Sequence, residues 1–204
     1  MGDNMSKNME MLNTFFKVMF NNKEEINKVI PDMYSKSFYS IDFDYLLSIN
    51  KTNLILDIDG TLLPVDDINV PKELIDKINI LKDNNFNICL MTNNNESRVL
   101  PVAKILDVKY LYKAGKPLPD AYNKALKVLN VDDKSNVAMV GDQMLSDIKG
   151  ANQYGIYSIL VCPIDSHNNI QTKTQRILQR RMENHLRKKH IFDRDKYYNI
   201  KEGI

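Results

Sequence analysis

Asp57 and Asp59 follow directly on the apolar run Leu54-Ile55-Leu56. If that run is a strand, residues two apart point to the same face, so the two carboxylates leave the sheet edge side by side. Gly60 lets the chain turn sharply there, and Thr61 is expected to tie the turn to the backbone. Two carboxylates at the end of a buried strand repel each other unless a cation or a phosphoryl group sits between them. This is the beginning of a site for metal-dependent phosphoryl transfer. Asp-x-Asp also occurs in ordinary turns, so the rest of the chain has to decide.

Further segments of the right chemistry each end a predicted strand. Phe86 to Met91 runs into Thr92-Asn93-Asn94, and Gly115-Lys116-Pro117 follows Tyr110-Leu111-Tyr112. Val137 to Val140 runs into Gly141-Asp142, with a further acid at Asp147. Ligands of open α/β sheets bind outside the carboxyl ends of the strands, so these loops should meet in one crevice. Together they offer carboxylates for a hard cation, a hydroxyl and amides for phosphate oxygens, and one ammonium. Each residue also has a plainer reading. Asp147 could be a solvated or capping carboxylate, Lys116 ordinary loop, and Thr92 with Asn93 a helix N-cap. Arg98 fits a substrate phosphate or the surface equally well.

The elements that must position these residues alternate along the chain. Strands are predicted near 53–58, 86–92, 109–112, 136–141 and 156–162, and helices near 71–83, 95–106, 117–129 and 143–153. Pro71 and Pro117 suit first helical turns, and Gly155 suits a helix stop. The alternation predicts an α/β fold built on a doubly wound parallel sheet. There is neither an internal repeat nor a second domain.

The ordered motifs DIDGT, TN, GKP and GDQMLSD resemble the signature motifs of the haloacid dehalogenase (HAD) superfamily. Longer stretches, IPDMYSKSFYSIDFDYL, LILDIDGTLLP, MTNNNESRV, AGKPLPDAY, VGDQMLSDIKGAN and YSILVCPI, resemble its YqeG-type phosphatases, over roughly residues 29 to 183. That subfamily is related to the phosphatidylglycerophosphate phosphatases of mitochondria and chloroplasts. One departure is Gly60, where the subfamily more often carries Asn. The resemblance implies a HAD-like, Rossmann-like fold and an aspartyl-phosphate mechanism with Mg²⁺. By position, Asp57 would be the nucleophile and Asp59 the general acid/base. Thr92, with the Asn93 amide, would bind the transferring phosphoryl oxygens, and Lys116 would neutralise their charge. Asp57, the backbone carbonyl of Asp59, and Asp142 would hold Mg²⁺, with Asp147 in support. HAD enzymes often insert a cap domain after the first or second motif. The stretches Thr61 to Thr92 and Thr92 to Lys116 each have room only for one helix and one strand, so no cap domain is expected.

Composition narrows the classes. The chain has 204 residues and a formal net charge of +2, which gives no global reason to expect nucleic acid. Cys89 and Cys162 lie in separate apolar runs and read as core residues in a reducing compartment. His167, His185 and His190 are scattered and form no metal cluster. With no 18-residue apolar span and no signal peptide, a cytoplasmic location is expected. A peripheral place on the inner membrane face, or an organelle in a eukaryote, also fits. Nothing in the sequence sets an oligomeric state.

The predicted organisation is an N-terminal helical extension (1–28), a phosphatase core (29–165) and a basic C-terminal helix and tail (166–204). Met5, Met9, Leu12, Phe16, Met19 and Phe20 share one face of an N-terminal helix, suited to a membrane, the core or a partner. From Gln175 to Lys189, Ile177, Leu178, Met182 and Leu186 are at helical spacing among Arg176, Arg180, Arg181, Arg187, Lys188 and Lys189. Either a packed terminal helix with a solvated charged face or a helix lying on an anionic membrane fits. The expected activity is phosphomonoester hydrolysis, on phosphatidylglycerophosphate or a similarly accessible phosphate. The alternatives are a phosphatase of a soluble metabolite or nucleotide, and a non-catalytic binding protein on the same scaffold.

Overall fold

The structure, a computed structural model, describes residues 2–65, 67–164 and 170–198. Its centre is a six-stranded parallel sheet in the order β1-β6-β5-β2-β3-β4. The strands are β1 (Met33–Ser35), β2 (Asn53–Leu56), β3 (Asn87–Met91), β4 (Lys109–Leu111), β5 (Val137–Gly141) and β6 (Tyr157–Val161). The helices are α1 (Gly2–Met19), α2 (Lys23–Val29), α3 (Phe43–Ser48), α4 (Lys72–Asp83), α5 (Glu96–Leu106), α6 (Pro119–Leu129), α7 (Lys149–Tyr154) and α8 (Ile170–Lys188).

The strand sequences explain why this sheet is covered on both faces. Their residues are apolar at nearly every position, and alternate ones enter different cores. Leu54, Leu56, Ile88, Leu90, Ala138 and Val140 face a core completed by α4 and α5. Ile55, Cys89, Met91, Val137 and Met139 face a second core under α6 and α7. β2 lies between β3 and β5, so the chain runs outward in both directions from it. The crevice at this reversal is where a doubly wound sheet binds ligands.

A third core joins the two ends of the chain. Met11, Phe15 and Val18 of α1 pack with Met182 and Leu186 of α8 around Met144, Leu145 and Ile148. Leu178, Met182 and Leu186 therefore face inward, whereas Ile177 is about half exposed. The face singled out in the sequence, suited to a membrane, the core or a partner, is turned largely away from the core. Met5, Met9, Leu12, Phe16 and Phe20 are exposed, and Met11, Phe15 and Val18 occupy the core instead. Both sets satisfy helical spacing, and packing selects the second.

The predicted strands, and the helices near 71–83, 95–106 and 117–129, recur within about two residues at each end, whereas the helix predicted near 143–153 divides into a π-helical turn at Met144–Ile148 and α7 at Lys149–Tyr154. α6 begins at Pro119, which takes the first helical position, while Pro71 caps α4 from outside. The edge strand β1 pairs with β6 and had no signal in the sequence, since three residues are too few for a visible period. Among the described residues only α4 lies between β2 and β3, and only α5 between β3 and β4, so no cap domain is inserted there. Among the described residues no helix is long and apolar enough to cross a membrane. Cys89 and Cys162 are both free thiols, and His167 lies outside the described residues.

The register of α1 can be checked by paired substitutions. Phe15→Ala should cost about 3 kcal/mol of unfolding free energy, as a buried aromatic truncation. Met9→Ala, on the exposed face, should change it by less than about 0.5 kcal/mol. Chemical denaturation reads both, and the reverse ranking would contradict the packing.

Candidate active site

The strand ends bring the sequence-selected residues to one place. The backbone N–H of Asp57 donates to Val140 O at 2.9 Å, extending the β2–β5 pairing one residue beyond the strand. Asp57 is thereby fixed opposite the Gly141-Asp142 turn. Carboxylate oxygens of Asp57, Asp142 and Asp147 all lie within 4.8 Å of one another, and all three side chains are buried. Gly60 makes that approach possible: its φ is +92°, and a Cβ there would stand 2.5 Å from Asp142 Oδ2. At Gly141 a Cβ would meet the Asp147 side chain at 2.3 Å. Asp147 reaches inward because residues 144–148 form a π-helical turn, in which Ile148 N donates to Gln143 O at 3.2 Å.

Lys116 is the matching cation. Its Nζ lies 2.6 Å from Asp57 Oδ1 and 2.7 Å from Asp147 Oδ1, and donates to Met91 O at 3.2 Å. Asn93 holds the lysine loop: its Oδ1 accepts from the Gly115 and Lys116 amides at 3.0 and 2.9 Å. Its Nδ2 donates to Lys116 O at 3.1 Å. The Asn93 side chain is thus committed to the loop. Thr92 is buried beside it, its hydroxyl accepting from Asn94 N at 3.0 Å.

Asp59 takes a different direction from the other acids. Its Oδ1 accepts from Arg98 Nε at 2.7 Å and its Oδ2 from Asn94 Nδ2 at 2.7 Å. Arg98 is therefore a partner of Asp59, and both side chains are about nine-tenths buried. Sequence reasoning considered only phosphate or surface for Arg98. Nothing local to either residue signals a pair 39 positions apart. Thr61 also differs from expectation. Its hydroxyl donates to Asp57 Oδ2 at 3.1 Å, with Asp142 Oδ1 at 3.5 Å, rather than to the backbone.

The two terminal helices supply contacts that the sequence did not show. Gln179 of α8 donates to Asp142 O at 3.0 Å and accepts from Met144 N at 3.1 Å, pinning the turn after β5. Glu10 of α1 forms an ion pair with the buried Lys149. Lys7 lies one turn earlier, where partial burial and the nearby Lys116 ammonium lower its pKa.

Three buried acids against one buried ammonium leave an excess of negative charge, and the acids respond. Burial, and beyond it the repulsion from Asp147 and Asp59, pushes Asp57 up to about 7, against the pull of Lys116. Burial, with Asp57 and Asp147, raises Asp142 well above the usual carboxylate range. Burial opposes the charge on Lys116, but Asp147 and Asp57 outweigh it and hold its pKa above the ordinary value. An all-oxygen donor set carrying excess negative charge fits a hard divalent cation.

The arrangement defines a class of protein: a doubly wound α/β hydrolase whose acids and lysine meet at the carboxyl ends of its central strands. A family profile described as haloacid dehalogenase-like hydrolase matches residues 66–155. The chain is 32% identical over 160 residues to the "Probable phosphatase YqeG" of Bacillus subtilis, spanning 78% of this chain and 92% of that protein. Among solved structures, a Listeria monocytogenes protein gives a TM-score of 0.46 at 20% identity, covering 58% of this chain and 85% of the other. The cobalt-bound deoxy-D-mannose-octulosonate 8-phosphate phosphatase of Haemophilus influenzae gives 0.42 at 15%, covering 71% and 94%. On its sequence relationship the chain belongs to the HAD superfamily and is a YqeG-type phosphatase.

The charge imbalance gives a pH signature. Asp57 and Asp142 bind protons more tightly folded than unfolded, so cation-free protein should lose stability as pH rises from about 4 through about 7. A bound cation takes the place of those protons. The rise in melting temperature on adding Mg²⁺ should therefore be larger at about pH 8 than at about pH 5.5. Asp142→Asn should melt no lower than wild type in EDTA and lose the Mg²⁺ response. Differential scanning fluorimetry reads both, and a pH-independent shift would contradict the assignment.

Proposed function

We propose that the protein is a Mg²⁺-dependent phosphomonoesterase that works through an aspartyl-phosphate on Asp57. Its preferred substrate in this reading is phosphatidylglycerophosphate or a similarly accessible phosphate at a membrane surface. The observation that carries the chemistry is the Asp57 carboxylate, buried among Asp142, Asp147 and Lys116 while Asp59 is held apart on Arg98 and Asn94.

Each residue then has a definite task. A carboxylate attacks an anionic phosphate only when repulsion is cancelled, and the Lys116 ammonium, 2.6 Å from Asp57, cancels part of it. Asp57, Asp142, Asp147 and the backbone carbonyl of Asp59 would hold Mg²⁺, which supplies the remaining positive charge. The Thr92 hydroxyl and the Asn93 backbone N–H bind the phosphoryl oxygens. The Asn93 side chain keeps Lys116 in position by gripping its loop. Asp59 must first take up a proton at the expense of its Arg98 ion pair; it gives that proton to the departing alcohol and then takes one from the attacking water. Arg98 and Asn94 orient that carboxylate.

The accessible-substrate part rests on two features. Among the described residues no cap domain is inserted between β2 and β4, which favours a bulky substrate. α1 also presents Met5, Met9, Leu12 and Phe16 to solvent, with Phe20 just beyond its end, on the helix whose Glu10 is tied to Lys149. An exposed apolar stripe of this kind suits insertion into the head-group region of a bilayer.

Phosphate release from mixed micelles of phosphatidylglycerophosphate, beside a panel of soluble esters, tests this reading. Release should need Mg²⁺, stop with EDTA, and be fastest on the lipid. Asp57→Asn should lower kcat by on the order of 10⁴-fold or more while keeping the wild-type circular dichroism. Preference for a soluble ester would discard the lipid, and no release from any ester would point to a binding protein.

A further inference from the structure

Tyr122, on α6, is fully buried in the second core, where its ring stacks on Tyr154 with centroids 5.6 Å apart. A buried phenol needs a partner for its hydroxyl, and here the partner is backbone. Tyr122 Oη donates to Asp147 O at 3.0 Å, with Ser146 O at 3.3 Å. A hydroxyl has one proton, so the shorter contact is the main bond. Asp147 is also the acid whose side chain meets Lys116 at 2.7 Å. Tyr122 therefore holds from behind the residue that Lys116 meets from the front. The phenol keeps its proton for this contact, because burial, and then the negative charge of Asp147 and Asp57, raises its pKa well above the ordinary value.

The segment being held is one that the backbone does not favour by itself. In the π-helical turn at Met144–Ile148, Gln143 O accepts from both Asp147 N at 2.9 Å and Ile148 N at 3.2 Å, and Lys149 N donates to Met144 O. A wide turn that shares one acceptor between two donors has poorer hydrogen bonds than an α-helix, so it persists where its surroundings fix it. The Asp147 carboxylate is set by Lys116 and Ser146 Oγ on Oδ1, the latter at 3.1 Å, and by Gln143 N on Oδ2 at 3.1 Å. Ser146 and Gln143 belong to the turn or its cap and move with it. Tyr122 comes from a different helix, so its bond ties the turn to the rest of the fold. The chain makes room for this contact at Gly150, where a Cβ would stand 2.3 Å from Tyr122 Oη and 2.6 Å from its Cε2. A larger residue there would push the ring and its hydroxyl away from the carbonyls.

We infer that Tyr122 is a positioning residue for the cation site: its hydroxyl fixes the Asp147 carbonyl and so keeps the Asp147 carboxylate beside Asp57 and Asp142. Without the hydroxyl the turn is free to relax toward an ordinary helix, which carries Asp147 away from the other two acids. Cation affinity then falls, while the groups that transfer the phosphoryl, Asp57 and Asp59, stay in place. This inference rests on the phosphatase reading and adds to it a residue that touches neither the phosphate nor the cation.

Tyr122→Phe deletes the hydroxyl and keeps the ring, so it provides the test. Titration calorimetry with Mg²⁺ on EDTA-stripped protein should give a Kd about 10- to 100-fold above wild type, the loss typical of removing a support behind a metal ligand. In turnover, the Mg²⁺ concentration for half-maximal rate should rise with that Kd, while kcat at saturating Mg²⁺ stays within about threefold of wild type. Leu126→Ala, a truncation elsewhere on α6 in the same core, controls for lost stability. It should melt at least as low as Tyr122→Phe and keep the wild-type Kd for Mg²⁺. An unchanged Kd in Tyr122→Phe, or an equal loss in Leu126→Ala, would overturn the inference. If Mg²⁺ bound but no ester were hydrolysed, the phosphatase reading would fail separately and calorimetry would still decide the role of Tyr122. If wild type bound no Mg²⁺, amide hydrogen exchange would decide whether Tyr122 holds Asp147. Exchange at residues 144–149 should then be about fivefold faster in Tyr122→Phe, the equivalent of one net hydrogen bond, and unchanged exchange would overturn it.

Discussion

The Lys116 ammonium is shared between Asp57 and Asp147 at 2.6 and 2.7 Å, and Asp142 stands within reach of both acids. Burying three carboxylates against one cation is costly, because each charge gives up its hydration and the like charges repel. Burial among like charges raises the proton affinity of both Asp57 and Asp142. In the proposed reading a divalent cation removes that cost, so cation binding and the readiness of Asp57 to attack are two aspects of one electrostatic constraint. The backbone is built to meet it. Gly60 and Gly141 lack the Cβ atoms that would collide with Asp142 and Asp147. A π-helical turn brings Asp147 inward.

The terminal helices are integral to this arrangement. α8 pins the Asp142 turn through Gln179, and α1 is tied to Lys149 through Glu10. The two helices meet in a common core that includes Met144, Leu145 and Ile148, the same segment that carries Asp147. Packing of the ends is therefore coupled to the position of one of the three clustered acids. α1 also carries an exposed apolar face.

Much of this was legible in the sequence because the relevant signals are local. The strand periods, the acids at strand ends and the lysine loop each occupy a few adjacent residues, and one rule about strand ends brings them together. What could not be read depends on distance or on choice between equals. The Arg98–Asp59 pair joins two loops with nothing local to mark it. Thr61 was expected to serve its own turn, and only the fold places Asp57 and Asp142 at its hydroxyl. In α1 both 5/9/12/16 and 11/15/18 make a helical stripe, and only the shape of the third core selects one.

The central claim is covalent transfer to Asp57, and the stereochemistry at phosphorus tests it most directly. An ester with an isotopically chiral phosphoryl group, turned over with Mg²⁺ in an alcohol acceptor, gives a product whose configuration counts the displacements. Two in-line displacements, first by Asp57 and then by the acceptor, predict net retention. Net inversion would mean direct attack by the acceptor and would contradict the account.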